Sequence, residues 1–161
     1  MRRILFGVLF FLTGCTAVFD NPKLDYQWRL NSIGYKSGND FDGNSCAMDY
    51  CKGKVYYNFA QDLVEIDYHP DSSAYNIMVG LCIDRSDTLT IDFTMYNEQH
   101  QTDPSFVPNG ADHSIRNPED ILENIRKCGM ETLCESFGID ILDNKHMVLS
   151  NNKVVLSFDR W

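Results

Sequence analysis

Between Thr88 and Tyr96 apolar and polar side chains alternate without a break: Leu89, Ile91, Phe93 and Met95 stand out of phase with Thr88, Thr90, Asp92 and Thr94. A two-residue period puts one set on each face of an extended chain, so the stretch reads as a half-buried strand. The same period recurs along the chain. Tyr26, Trp28 and Leu30 share a face, as do Val55, Tyr57 and Phe59 within Lys54 to Ala60. After Gln61-Asp62 come Val64, Ile66 and Tyr68 against Leu63, Glu65 and Asp67, a hairpin whose turn lacks a glycine. Tyr75 to Ile83 places Tyr75, Ile77, Val79, Leu81 and Ile83 in phase, and Phe137, Ile139 and Ile141 mark a short strand. His146 to Ser150 and Val154 to Trp161 flank Asn151-Asn152, a pair that tolerates the positive φ of a tight turn. In the last run Val154, Leu156 and Phe158 share a face with Arg160. Eight such runs, closely spaced, make an antiparallel meander with one apolar face. Eight strands can close into a barrel, which also removes exposed edges, and an all-β antiparallel barrel with one short helix before its last strands is the expected fold; a two-sheet sandwich, the alternative, satisfies the same periodicity.

Two polar stretches interrupt the pattern, Ile33 to Gly53 and Asn97 to Asn117, and both read as long loops. After the second comes one helix signal. Asn117 can cap, Pro118 suits the first turn, and Glu119 and Asp120 sit at the positive end of the helix dipole. Arg126-Lys127 precede Gly129 at the other end, and Ile121, Leu122 and Ile125 form the apolar stripe.

The first fifteen residues have a different character. Arg2 and Arg3 precede the apolar run Ile4 to Leu12, then Thr13, Gly14 and Cys15. A bilayer core of ~30 Å takes about 20 apolar residues to cross, so this run is a secretory signal rather than a span. Leu12-Thr13-Gly14-Cys15 resembles the lipobox of bacterial lipoproteins. The resemblance implies cleavage before Cys15, diacylglycerylation of its thiol and acylation (palmitate-type) of the new amino group. The expected organisation is therefore a signal peptide at 1–14, a lipidated tether at 15–25 and a barrel domain at 26–161. Loss of Arg2 and Arg3 with the signal moves the net charge from −9 to −11. So acidic a surface repels nucleic acid and anionic headgroups, which leaves the lipid as the membrane contact. Thr16 rather than aspartate follows the cysteine, which by resemblance to enteric sorting rules implies the outer membrane. Asp20 is the sole acidic residue in the first part of the tether, and whether the protein faces the periplasm or the surface stays open.

With Cys15 lipidated, five cysteines remain, which allows at most two intramolecular bridges. Spacing suggests Cys46–Cys51 and Cys128–Cys134 as short local clips in an oxidising compartment. Cys82 falls within an apolar strand and reads as a buried thiol. Zinc is the competing use of the cysteines, but no Cys-x-x-Cys pair occurs.

Trp28 in the first strand, the Val55-Tyr-Tyr-Asn-Phe59 strand and the closing Met147-Val-Leu and Val155-Leu-Ser-Phe-Asp-Arg-Trp161 segments are similar to the small lipocalin-like lipoproteins of Bacteroides-type bacteria. The resemblance covers most of residues 26 to 161. Two features depart from it: Tyr26 stands where lipocalins proper carry glycine, and the helix precedes the last strands instead of following them. By the resemblance a late arginine packs on the first-strand tryptophan, which here pairs Arg160 with Trp28. It also implies an apolar or amphipathic small molecule held in the barrel. The candidate lining is Tyr57, Phe59, Val64, Ile66, Tyr68, Ile77, Val79, Ile91 and Phe93, with the loop from Ile33 to Gly53 as a lid. Eight-stranded barrels also fill with their own side chains. A structural lipoprotein with a packed core, meeting a protein or glycan through its loops, is therefore the second reading.

Chemistry beyond binding has little support. Asp40, Asp42, Gly43 and Asp49 fall at positions 3, 5, 6 and 12 of a calcium-loop pattern. Position 1 is Gly38, position 12 is not glutamate and no helices flank the loop, so a solvated acidic loop is the better reading. The histidines at 69, 100, 113 and 146 lack ligand spacing. No nucleophile elbow, phosphate loop or zinc-protease helix occurs. No catalytic residue, metal or cofactor is assigned, and an enzyme is not expected.

Overall fold

The computed structural model describes residues 21–44, 54–70, 76–94 and 117–161. Eight strands run in chain order: β1 (Gln27–Tyr35), β2 (Val55–Ala60), β3 (Leu63–Tyr68), β4 (Asn76–Arg85), β5 (Thr88–Asp92), β6 (Cys134–Leu142), β7 (His146–Ser150) and β8 (Val154–Arg160). Each pairs antiparallel with the next, and β8 returns to β1, so the sheet is a closed barrel rather than a sandwich. Closure leaves no strand edge to be capped. One helix, α1 (Pro118–Lys127), precedes β6.

The helix forms where its end signals place it. The Asn117 side chain accepts the Glu119 N–H, Pro118 occupies the first turn, and Gly129 takes φ +99° just past the end. Ile121 and Ile125 are buried as the stripe requires, and Asn124 joins them. Its side chain donates to Asp120 C=O and accepts from Asn76 of β4, so a polar residue is buried with its bonds made.

Register decides which residues fill the barrel. Val64 and Ile66 of β3 point inward, and their direct partners on β4 are Gly80 and Met78. Gly80, Met78 and Cys82 therefore face the core, while Ile77, Val79, Leu81 and Ile83 face out, opposite to the phase expected from their hydrophobicity. Gly80 is required there: a Cβ would come within 2.8 Å of Asp92 O and of the Phe93 ring, which occupies the space beside it. Two bulges shift phase elsewhere. An extra residue between Leu30 and Ser32 moves the inward set of β1 from Trp28 and Leu30 to Ile33, and the strand continues to Tyr35 instead of giving way to loop at Ile33. Another between Ile139 and Ile141 turns Ile141 outward and Leu142 toward the core.

Turn chemistry differs from expectation at two hairpins. Gln61 adopts φ +58°, taking the left-handed position that glycine would fill. Asn151-Asn152 needs no positive φ; the Asn151 side-chain oxygen instead accepts the N–H groups of Lys153 and Val154.

The expected Cys128–Cys134 clip is absent. Cys128 is fully buried at the end of α1, whereas Cys134 opens β6 on the exposed side, paired in register with Asp92. Cys82 is a buried, unbridged thiol. Cys15, Cys46, Cys51 and Asp49 lie outside the described residues.

Candidate functional site

An up-and-down barrel gathers alternate connections at each end. The turns β2–β3, β4–β5 and β6–β7, the start of β1 and the end of β8 share one end, here the entry end. The turn β7–β8, helix α1 and the long connections after β1, β3 and β5 share the other, the helix end.

Between them the interior is apolar. Trp28, Leu30, Tyr57, Val64, Ile66, Met78, Leu89, Ile91, Phe93, Phe137, Met147, Leu149, Leu156 and Phe158 form one continuous buried cluster. Of the candidate lining residues, Tyr57, Phe59, Val64, Ile66, Ile91 and Phe93 are inside. Tyr68 is half-buried at the helix end, packed against the cluster. Ile77 and Val79 are on the outer wall and cannot line the interior. Met78 and Cys82 take their places, and the pairing register with β3 is the signal that identifies them.

Aromatic rings meet across the interior. Tyr57 and Phe158 are edge to face at 5.0 Å between centroids, and Tyr57 and Phe59 are tilted at 6.2 Å. The Tyr57 hydroxyl donates to Cys128 C=O at 2.9 Å, in full burial. That bond joins the barrel wall to the end of α1. Burial also pushes the Cys82 thiol up to about 12, with Asp84 and Asp62 adding to the rise, so it stays protonated.

The helix end is closed by α1 and the chain that follows it. Met130 is fully buried, and the site of a Cβ on Gly129 is occupied by Leu156, with Ile33 beside it. Arg126 reaches back to Phe41 C=O and forms an ion pair with Asp42 at 3.0 Å. Phe41 in turn stands edge to face on Tyr35. The first part of the connection after β1 thus lies against the helix; the rest of the expected lid, residues 45–53, lies outside the described residues. Lys153 pairs with Glu131, and Asn151 donates to Glu135, whose carboxyl is raised by burial. Asp40 folds the loop on itself, accepting the N–H groups of Asp42 and Asn44. Of the partial calcium pattern, Asp40 is thus engaged within the loop and Asp42 with Arg126.

The entry end is sealed differently. Leu24 is fully buried, and the Trp28 indole N–H donates to its carbonyl at 3.1 Å. Packing therefore begins before residue 26, within the segment expected to be tether. Arg160 stands opposite Trp28 in register, yet its guanidinium lies 3.2 Å from the Tyr26 ring centroid. Trp28 itself is fully buried. The neighbouring Arg29 lies over Trp161 at 5.2 Å. Among the described residues no group of His, Cys, Asp and Glu side chains is arranged to hold a metal ion.

The chain matches the model of a lipocalin-like domain over residues 10–161. Two crystal structures share its fold. An uncharacterized protein from Bacteroides eggerthii DSM 20697 is 14% identical, over 84% of this chain and 98% of its own, with a TM-score of 0.55. A lipocalin-like protein from Bacteroides uniformis ATCC 8492 is 12% identical, over 86% and 99%, with a TM-score of 0.54. No curated protein matches. The family match spans every strand of a barrel that closes β8 onto β1, and the chain belongs to the lipocalin-like domain family.

Proposed function

We propose that this protein is a binding module, a lipocalin-like barrel that holds a small apolar or amphipathic molecule and is tethered to the outer membrane through a lipid on Cys15. The observation that carries the binding reading is the interior: a closed barrel whose inward side chains are aliphatic, aromatic or sulfur-bearing, with the Tyr57 hydroxyl as a polar handle. Such surroundings suit an apolar ligand and offer nothing to a charged one. No residue set argues for catalysis, so binding is preferred to an enzymatic role.

The ligand would pass in at the helix end, where α1 is held by the buried Ile121, Ile125 and Met130 and by the bonds Tyr57 to Cys128, Asn76 to Asn124, and Arg126 to Phe41 and Asp42. The tethering reading rests on Arg2-Arg3, the Ile4 to Leu12 run and Leu12-Thr13-Gly14-Cys15.

One observation favours the second reading, a structural or interaction lipoprotein with a solid core. Phe93 fills the space beside Gly80, and the interior rings touch one another. The two separate in solution. The chain is titrated with an environment-sensitive apolar dye, then with fatty acids as competitors. Saturable fluorescence that the competitors displace supports the binding module. A flat titration with intact fold supports the packed barrel, and protein or glycan partners would then be sought at its loops.

A further inference from the structure

We propose that the entry end of the barrel is the surface that lies on the membrane, with the helix end pointing away from it. The inference rests on the reading of Cys15 as the lipid attachment site and adds an orientation and a contact surface to it.

Three observations converge on this end. The first is where the chain arrives. Asn21 is pinned beside the β4–β5 turn: its backbone N–H and side-chain amide both donate to the Asp84 carboxylate, at 2.6 and 2.8 Å, and the amide also meets Ser86 C=O. Cys15 is six residues earlier. At 3.3–3.6 Å per residue the tether reaches about 20 Å at most. A nine-residue strand such as β1, tilted as barrel strands are, gives a wall of about the same height. A barrel turned with α1 toward the bilayer would need the tether drawn taut along its whole side. With the entry end down, no stretching is needed.

The second is the distribution of exposed apolar side chains. Tyr26 (42% exposed), Ile83 (49%), Ile141 (48%) and Trp161 (66%) are the exposed large hydrophobics among the described residues. Tyr26 precedes β1 and Trp161 follows β8, and the Trp161 N–H donates to Gln27 C=O. Ile83 is two residues from the end of β4, and Ile141 one residue from the end of β6. All four belong to the entry end. Tyrosine and tryptophan are the side chains best suited to the headgroup region, since each has an apolar body and a polar atom.

The third concerns charge. Lys23, Arg85, Lys145 and Arg160 lie at this end, but so do Asp25, Asp62, Asp84, Asp87, Asp140 and Asp143. Attraction to anionic headgroups therefore does not drive the contact. Apolar side chains reinforce the acyl anchor, and the contact should be insensitive to the fraction of anionic lipid.

The chain has two tryptophans, and Trp28 is fully buried, so Trp161 reports on this surface. The full-length protein is produced in a lipoprotein-processing bacterium, and the mass of its N-terminal peptide is read for acyl groups on Cys15. It is then reconstituted into phosphatidylethanolamine–phosphatidylcholine vesicles, with and without phosphatidylglycerol, carrying bromine-labelled acyl chains. The expected result is loss of Trp161 emission to the bromolipid and protection from acrylamide, equal in both lipid mixtures and absent from Trp161→Phe. Acylated protein with acrylamide-accessible, unquenched Trp161 overturns the orientation and leaves the anchor standing. Protection from acrylamide without bromolipid quenching assigns the surface to a second copy of the chain and also overturns it. An unmodified Cys15 overturns the anchor, and the orientation falls with it.

Discussion

The cation–π contact of Arg160 shows what a residue pattern can and cannot say. Phase along β8 puts Arg160 on the core side opposite Trp28, and the register does pair the two. The guanidinium nonetheless lies over Tyr26, while Trp28 is fully buried with its indole N–H on Leu24 C=O, and nothing in the strand periodicity foretells that. A double-mutant cycle of Arg160→Ala and Tyr26→Ala should give a coupling of about 0.5–1 kcal/mol. Arg160→Ala combined with Trp28→Phe should be additive, Trp28→Phe losing only its own hydrogen bond and packing. Urea denaturation of the five variants and the parent decides it; coupling to Trp28 in place of Tyr26 would contradict the geometry.

A second residue-scale prediction concerns the outer wall. Asp67 sits beside Glu65, with the Asn58 side chain donating to both, and one Asp67 carboxylate oxygen is buried without a partner. Burial first, and the Glu65 charge second, push the Asp67 carboxyl above its ordinary value. The folded state then holds the proton more tightly than the unfolded chain does. Stability from this group is present at low pH and declines as pH rises from the unfolded value of 3.8 through the raised folded value. At pH 7 the ionised group is a liability. Asp67→Asn should raise Tm by about 2 °C at pH 7 and leave it unchanged near pH 3, where the carboxyl is neutral in both states. Thermal melts at the two pH values test the sign.

At the scale of elements, legibility followed how many independent signals each element carried. Helix α1 had a cap, a proline, a charge gradient and a terminal glycine, and all four operate in the structure. Strand β4 had only its side chains, and both of its faces can be read as a core face: Ile77, Val79, Leu81 and Ile83 on one, Met78, Gly80 and Cys82 on the other. Pairing with β3 settled it, and pairing is a tertiary fact. The bulges in β1 and β6 escaped for the same reason, since an extra residue looks like a broken pattern until its partner strand is known. Two of nine candidate lining residues were misplaced as a result, both on β4. The connection of α1 to the barrel is also tertiary, and it yields a prediction. Tyr57→Phe removes the hydroxyl that holds Cys128 C=O and leaves that carbonyl buried without this donor, a cost of about 1–2 kcal/mol. If α1 is the lid, the variant should take up apolar dye faster than the parent by stopped-flow fluorescence, because the loss falls on the closed position of the helix. An unchanged rate with lowered stability would make Tyr57 a structural residue and the helix a fixed plug.

For the whole molecule, closure is the property with the widest consequence. Eight locally paired strands were legible from the alternation and the turns; closure was the favoured expectation because it removes edges, and the return of β8 to β1 bears it out, although the alternation alone is shared with a sandwich. The pairing of β8 with β1 means that no strand can peel away without breaking ladder hydrogen bonds on both sides. Opening of the interior away from the helix end should therefore be global rather than local. Cys82 tests this directly. Its thiol is 3% exposed, held near Gln61 C=O and Leu63 C=O, and protonated at any pH below about 12. Cys134, exposed at the start of β6, serves as the accessible reference, although burial and Asp92 raise its thiol too. With a maleimide at pH 8 and peptide mapping by mass, Cys134 should label in the native protein. Cys82 should label at a rate that rises with urea along the same slope as the equilibrium unfolding transition. A shallower slope at Cys82 would mean that β4 separates from its neighbours on its own, and the barrel would then behave as an open sheet that happens to meet itself.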